Sequence, residues 1–198
     1  MDKSDIGRLL LRCVRRDIYD EVFPFIKRDS STTPSLLIHR GYNELANRNG
    51  NRNGDIFEAL FLAGLIASGV RHILLGVSYS ALPYSSIDAV IYTRNSGVVM
   101  ISLKSSLRER WKQNDLEFGV VKHTQPRAFC ALATMDSKGC RHPIGLLEEG
   151  KLLGLDLVVD CNLPSNMESL IDSIAQREPV EAYSDDLLGL TKFKAYID

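Results

Sequence analysis

An aspartate and a lysine sixteen positions apart, Asp88 and Lys104, are the residues of this chain whose types and placement best suit chemistry. Hydrolysing a phosphodiester takes a metal ion to polarise the phosphate, carboxylates to hold that ion, and a cation or base beside the attacking water. Asp88 opens one strand-like stretch and Lys104 closes the next. A turn at Asn95-Ser96-Gly97 makes the two stretches an antiparallel hairpin, which returns both residues to the same end. Within Ile101-Ser102-Leu103-Lys104, alternation sets Ser102 and Lys104 on one face. A lysine there suits a polar cleft better than a core.

Those residues need elements to hold them. Apolar residues recur at three and four from Ile6 to about Lys27, which predicts one amphipathic helix that Pro24 bends or ends. Leu36 to Ala46 reads as a second helix. The tandem repeat Asn47-Arg48-Asn49-Gly50 and Asn51-Arg52-Asn53-Gly54 predicts a connecting loop, in which Arg48 and Arg52 could also follow a nucleic-acid groove. Asp55 is the expected N-cap of a third helix ending near Ser68, apolar almost all round and therefore buried, with Glu58 as its one internal charge. Glu58 stands three residues after Asp55, so a capping box accounts for it as well as a catalytic role does. Strands are expected at His72 to Val77, Ile87 to Thr93, Val98 to Leu103 and Ala128 to Thr134, with a charged helix from about Ser105 to Val121 before the last. A fifth strand at Leu155 to Val159 and helices near Met167 to Gln176 and Asp185 to Leu190 complete the reading.

The order helix, three strands, helix, strand over Asp55 to Thr134 resembles the core of the PD-(D/E)XK nuclease superfamily, along about 80 residues. The resemblance gives Asp88 the role of the metal-binding motif aspartate, Lys104 that of the lysine orienting the water, and Glu58 that of the acid found on the preceding helix. Two positions depart from the motif: Ile87 replaces its proline, and Ser102 replaces its second carboxylate, although serine is a poor magnesium ligand. A branch of restriction endonucleases that recognises CCGG-type and related cores has serine or a similar residue here and takes the missing acid from the next helix. Lys104-Ser105-Ser106-Leu107-Arg108-Glu109-Arg110 looks like that branch's lysine and arginine-rich stretch. Turned at ~100° per residue, Leu107, Trp111, Phe118 and Val121 form the buried stripe, with Arg110, Asn114 and Glu117 along one shoulder. Glu117 is thus the preferred relocated ligand, ahead of Asp115 and Glu109.

Between Lys104 and Lys112, four basic residues face one acid, in a chain whose net charge is -1. Arginine forks can pair with guanine and a glutamate can accept from cytosine, so Arg108, Glu109, Arg110 and Lys112 are the expected DNA contacts, with Arg48 and Arg52 beside them. The four cysteines form no CxxC pair, which disfavours a zinc site and fits a reducing cytoplasm. No segment reaches the ~18 apolar residues of a membrane span. Nucleotide-binding GxxxxGK[ST], HExxH and GxSxG patterns are all missing.

The expectation is an α/β restriction-endonuclease-like domain over residues 1–198, with its core at about 55–135, a mixed sheet of four to five strands, and helical elaborations at both ends. The resemblance implies a site-specific endonuclease for double-stranded DNA that uses Mg2+, with Mn2+ able to substitute. Asp88 and Glu117 would hold metal, Lys104, Glu58 and Ser102 would complete the catalytic set, and a homodimer would serve a palindromic site. A repair or nicking nuclease on the same core, and a DNA-binding protein on a degenerate core, are the alternatives.

Overall fold

The computed structural model describes residues 2–30, 33–46, 50–94, 97–180, 190–192 and 194–197. Four helices come first: α1 (Lys3–Cys13), α2 (Arg16–Arg28), α3 (Pro34–Leu45) and α4 (Gly50–Ala67). Then follow β1 (Ile73–Tyr79), β2 (Leu82–Thr93), β3 (Gly97–Lys104), α5 (Arg110–Thr124) and β4 (Phe129–Thr134). The remainder is α6 (Arg141–Glu148), β5 (Leu157–Asp160), α7 (Pro164–Ala175), β6 (Leu190–Lys192) and β7 (Ala195–Ile197).

The strands form one mixed sheet in the order β5-β4-β3-β2-β1-β6, with β7 also on β1. β1, β2 and β3 are an antiparallel meander, whereas β4 and β5 run parallel to β3. The fold is thus α/β, and α4-β1-β2-β3-α5-β4 is the order that the sequence called for. Strand alternation divides the core in two. Val99, Ile101 and Leu103 of β3 join α1 to α4 and α7 on one side, while Val98 and Met100 join Trp111, Phe118 and Val121 of α5 on the other.

α4 is the helix that the rest of the first layer surrounds. Ile56, Phe57, Ala59, Leu60, Phe61, Leu62, Ala63, Leu65 and Ile66 are all buried, so apolar surface removed on every side holds it in place. α4 begins at Gly50, earlier than expected, which puts half of the Asn-Arg-Asn-Gly repeat in its first turn. Asp55 is therefore inside the helix and is not its N-cap. Its carboxylate takes a 3.1 Å bond from Arg15, and Arg52 is ion-paired to Asp17 and Glu21 of α2. These links to α2 stabilise a turn that local propensity alone would leave as loop. Residues 47–49, including Arg48, lie outside the described residues.

Three other expectations are corrected. The single helix from Ile6 to Lys27 is two, separated at Val14 and Arg15, whose ψ angles of 158° and 145° are extended. Arg15 is held there by Asp17 and Asp55, a tertiary cause invisible to apolar spacing. Pro24 sits inside α2 without ending it, because it is exposed and water can satisfy the carbonyl it leaves unbonded. The helix expected from Ser105 starts at Arg110, after an irregular segment, and α6, β6 and β7 were not anticipated. Of the expected helix at Asp185 to Leu190, residues 185–189 lie outside the described residues and Leu190 opens β6.

Asp115 anchors α5. It is 7% exposed and accepts the backbone N–H groups of Leu153, Gly154 and Leu155 at 2.8 to 3.1 Å. Replacing it leaves three donors without their charged acceptor, each worth about 1–3 kcal/mol. Asp115→Ala is expected to lower unfolding free energy by about 3 kcal/mol or more, read as an earlier urea midpoint at unchanged slope.

Candidate active site

Asp88 sits where the sheet opens. The β2–β3 ladder runs from Thr93↔Gly97 to Ala89↔Ile101 and goes no further. β3 meanwhile stays on β4 as far as Lys104↔Thr134, and β2 stays on β1 as far as Ser86↔Ser78. Each strand keeps its outer neighbour while the two part from one another, and the Asp88 carboxylate occupies the gap. Its Oδ2 accepts the Leu103 N–H at 2.6 Å, the Ser102 hydroxyl at 3.2 Å and the Lys104 ammonium at 3.0 Å.

The side chains of Asp88 and Lys104 are 17% and 23% exposed. A half-buried carboxylate persists only if its charge is compensated, and here three donors, one of them cationic, do so. All three bonds fall on Oδ2; among the described residues Oδ1 has no donor. Oδ1 is therefore the atom free to ligate a cation.

Glu58 comes to the same place from α4. With Asp55, Asp88, Arg15, Lys194 and the apolar Phe61, Leu62 and Leu103 it lines a cavity of about 220 Å³ between the α1–α2 elbow, α4 and the sheet. Glu58 projects into this opening and keeps solvent-facing surface. The surrounding walls still strip water from its carboxyl, and Asp88 and Asp55 repel its charge, so its pKa is pushed up to about 7, with Lys104 and Lys194 opposing the rise. Since Asp55 is interior to α4, Glu58 has no capping-box role.

Two facing carboxylates, one with an oxygen free of protein donors and one reluctant to ionise beside the other, suit a hard divalent cation with oxygen ligands. The described residues hold no group of three or more acid, histidine or cysteine side chains placed to bind a metal. Asp88 and Glu58 would thus supply two ligands, the remainder being water and substrate oxygens, as is usual for magnesium.

The structure brings Asp88, Ser102, Lys104 and Glu58 together. Ser102, 3% exposed, orients Asp88 through its hydroxyl. Glu117 is not in that group: it lies on α5, which covers the sheet face carrying Ser102 and Lys104, and accepts a 2.8 Å bond from Gln113. Asp115 is occupied by the 153–155 loop, and Glu109 pairs with Lys112. Arg110 donates to the Ser106 carbonyl, and the Lys112 ammonium lies 5.6 Å from the Trp111 ring centre. Arg108 is exposed, with φ of 44° in the left-handed region that disfavours a side chain. Sequence reasoning missed Lys194 and Arg15; neither carries a local signal, and each reaches the cavity through distant strand or helix packing.

No family model matches the chain, and no curated protein matches it either. Among solved structures, restriction endonuclease PspGI in complex with its substrate DNA overlaps 94% of this chain and 90% of its own, with a TM-score of 0.44 and 15% identity. Overlap of that degree assigns no role to any residue. No helix among the described residues is long and apolar enough to cross a membrane.

The raised Glu58 pKa has a consequence for stability. Below the ordinary carboxyl value of 4.5 the group is neutral in both folded and unfolded chains; between there and about 7 the folded chain holds a proton that the unfolded chain releases. Stability linked to this group is thus present at pH 4 and lost as pH rises through 7. Glu58→Gln, neutral throughout, should raise Tm relative to wild type at pH 8 without metal and have little effect at pH 4. An equal change at both pH values would place the Glu58 carboxyl outside this acidic cluster.

Proposed function

We propose that this chain is a metal-dependent endonuclease that cuts double-stranded DNA at a specific site, in the manner of a type II restriction enzyme. The observation that carries the reading is the pairing of Asp88 with Lys104 inside the split of the sheet, with Glu58 sharing one cavity with Asp88. The sequence resemblance over Asp55 to Thr134 supports it independently.

Magnesium, or manganese in its place, would polarise the scissile phosphate and acidify a bound water. Asp88, through the Oδ1 left free by its donors, and Glu58 would hold that ion, while Oδ2 keeps Asp88 fixed through its three donors. Lys104 orients the attacking water and offsets charge developing on the phosphate. Attack opposite the 3′-oxygen leaves a 5′-phosphate and a 3′-hydroxyl. Glu117 would join Asp88 and Glu58 only on leaving Gln113. Arg108, Arg110 and Lys112, with Glu109, form the DNA-reading edge, Arg52 adds charge near α2, and two copies of the chain serve the half-sites of a palindrome.

One observation favours a second reading. Serine at position 102, together with the lack, among the described residues, of three acid, histidine or cysteine side chains placed to bind a metal, would suit a DNA-binding protein that no longer cuts. Purified protein incubated with unmethylated plasmid and Mg2+ separates the two. Discrete fragments are expected, and Asp88→Ala or Lys104→Ala should each lower the rate by at least about 1000-fold with the circular dichroism spectrum unchanged. DNA bound in Ca2+ and left whole in Mg2+ and Mn2+ would establish the second reading. Unimpaired cutting by either variant would remove the mechanism.

A further inference from the structure

The site contains a second lysine that neither the motif nor the proposed mechanism uses. Lys194 lies between β6 and β7, both of which pair with β1. Its position follows from the registers. β7 sets Leu75 opposite Ala195 and β6 sets Ser78 opposite Lys192, which bracket Gly76 and Lys194. On the other side of β1, Leu75↔Ala89 and Val77↔Ile87 bracket Gly76 and Asp88. Lys194, Gly76 and Asp88 thus occupy one row across the sheet, and the middle member has no side chain.

That missing side chain matters. A Cβ on Gly76 would fall 2.6 Å from Lys194 Cδ and 2.9 Å from its Cγ, so the lysine stem rests directly on the glycine backbone. Gly76 also has φ of 56°, where residues with side chains are strained. The Lys194 N–H donates to the Leu75 carbonyl at 2.8 Å, which fixes the base of the stem. Neighbouring strands lie roughly 4.8 Å apart, so a lysine leaning across one strand reaches toward the acid on the next. Lys194 lines the same cavity as Glu58 and Asp88. Among the described residues it forms no ion pair.

We propose that Lys194 is a substrate-binding residue that grips a backbone phosphate of the DNA on the side of the cleft opposite Lys104. A polyanion entering a cavity walled by Asp55, Glu58 and Asp88 meets repulsion that one lysine offsets on the β3 side alone. Lys194 supplies the counterpart from the β1 edge, and its stem can swing over Gly76 without displacing any side chain of β1. This inference rests on the nuclease reading and deepens it by adding a residue from outside the motif-bearing core.

The test compares wild type with Lys194→Met, which keeps the apolar stem over Gly76 and removes the charge, and with Lys194→Arg, which keeps the charge. Affinity for a short fluorescent DNA duplex is measured in Ca2+ over a series of salt concentrations. Loss of one phosphate contact should shrink the slope of log affinity against log salt by about 0.9 and weaken binding at fixed salt by about tenfold. Lys194→Arg should retain the wild-type slope. A lysine that only packs on the sheet would not move the slope, so a wild-type slope in Lys194→Met overturns the inference while leaving the nuclease reading intact. Wild-type protein that neither binds the duplex nor cuts plasmid removes both.

Discussion

The parting of β2 from β3 at a single carboxylate is the constraint on which the site depends. Beyond Ala89↔Ile101 the Leu103 N–H faces β2 without a backbone partner, and a buried donor left in that state costs about 1–3 kcal/mol. Asp88 satisfies it at 2.6 Å, and the same oxygen then draws in the Ser102 hydroxyl and the Lys104 ammonium. Structure and chemistry coincide here: the carboxylate that closes the sheet's open hydrogen bond also fixes the lysine at a strand end. The outer pairings, β3 on β4 and β2 on β1, hold the gap at a set width, so the Asp88–Lys104 geometry is built into the sheet and does not depend on a flexible loop.

Helix α4 completes the arrangement from the other side. Buried from Ile56 to Ile66 except at Glu58, it cannot roll without exposing Phe57, Leu60 or Phe61. A charged residue within so apolar a stretch would be destabilising anywhere but at an opening. Glu58 meets such an opening and remains costly to ionise there because the walls strip water from its carboxyl and Asp88 and Asp55 share the space. Arg15 neutralises Asp55 from the α1–α2 elbow, which limits the acidic charge that faces Asp88.

Much of this was legible in the residues. The hairpin spacing of Asp88 and Lys104 and the alternation in β3 are local patterns, and the strand cores were accordingly found to within a few residues; of the turn expected at Asn95 to Gly97, residues 95–96 lie outside the described residues. The overlong first helix, the misplaced start of α4 and the unforeseen C-terminal strands share another cause, since each is decided by partners far away in sequence. Arg15 breaks α1 from α2 by pairing with Asp55, forty residues on. Leu190–Lys192 and Ala195–Ile197 are too short to read as strands and become so by pairing with β1. Glu58 was legible as a charge on an apolar helix, but the capping explanation could be set aside only once α4 was seen to start at Gly50. Lys194 gave no signal, for its meaning lies in a row shared with Gly76 and Asp88.

Serine at position 102 changes the charge balance of the whole cleft. An acid there would stand next to Asp88 on the neighbouring strand, and two adjacent carboxylates in a half-buried split would compete for Lys104 and for the Leu103 N–H. Serine removes that competition and adds a donor, which concentrates all three bonds on one oxygen of Asp88 and leaves the other bare. The loss is a negative ligand at the strand; the gain is an aspartate held in one orientation. In the proposed nuclease, a further anionic ligand beyond Asp88 would come from Glu58 on α4, which shares its cavity. Such an arrangement would tie cation binding to the packing of α4 against the sheet.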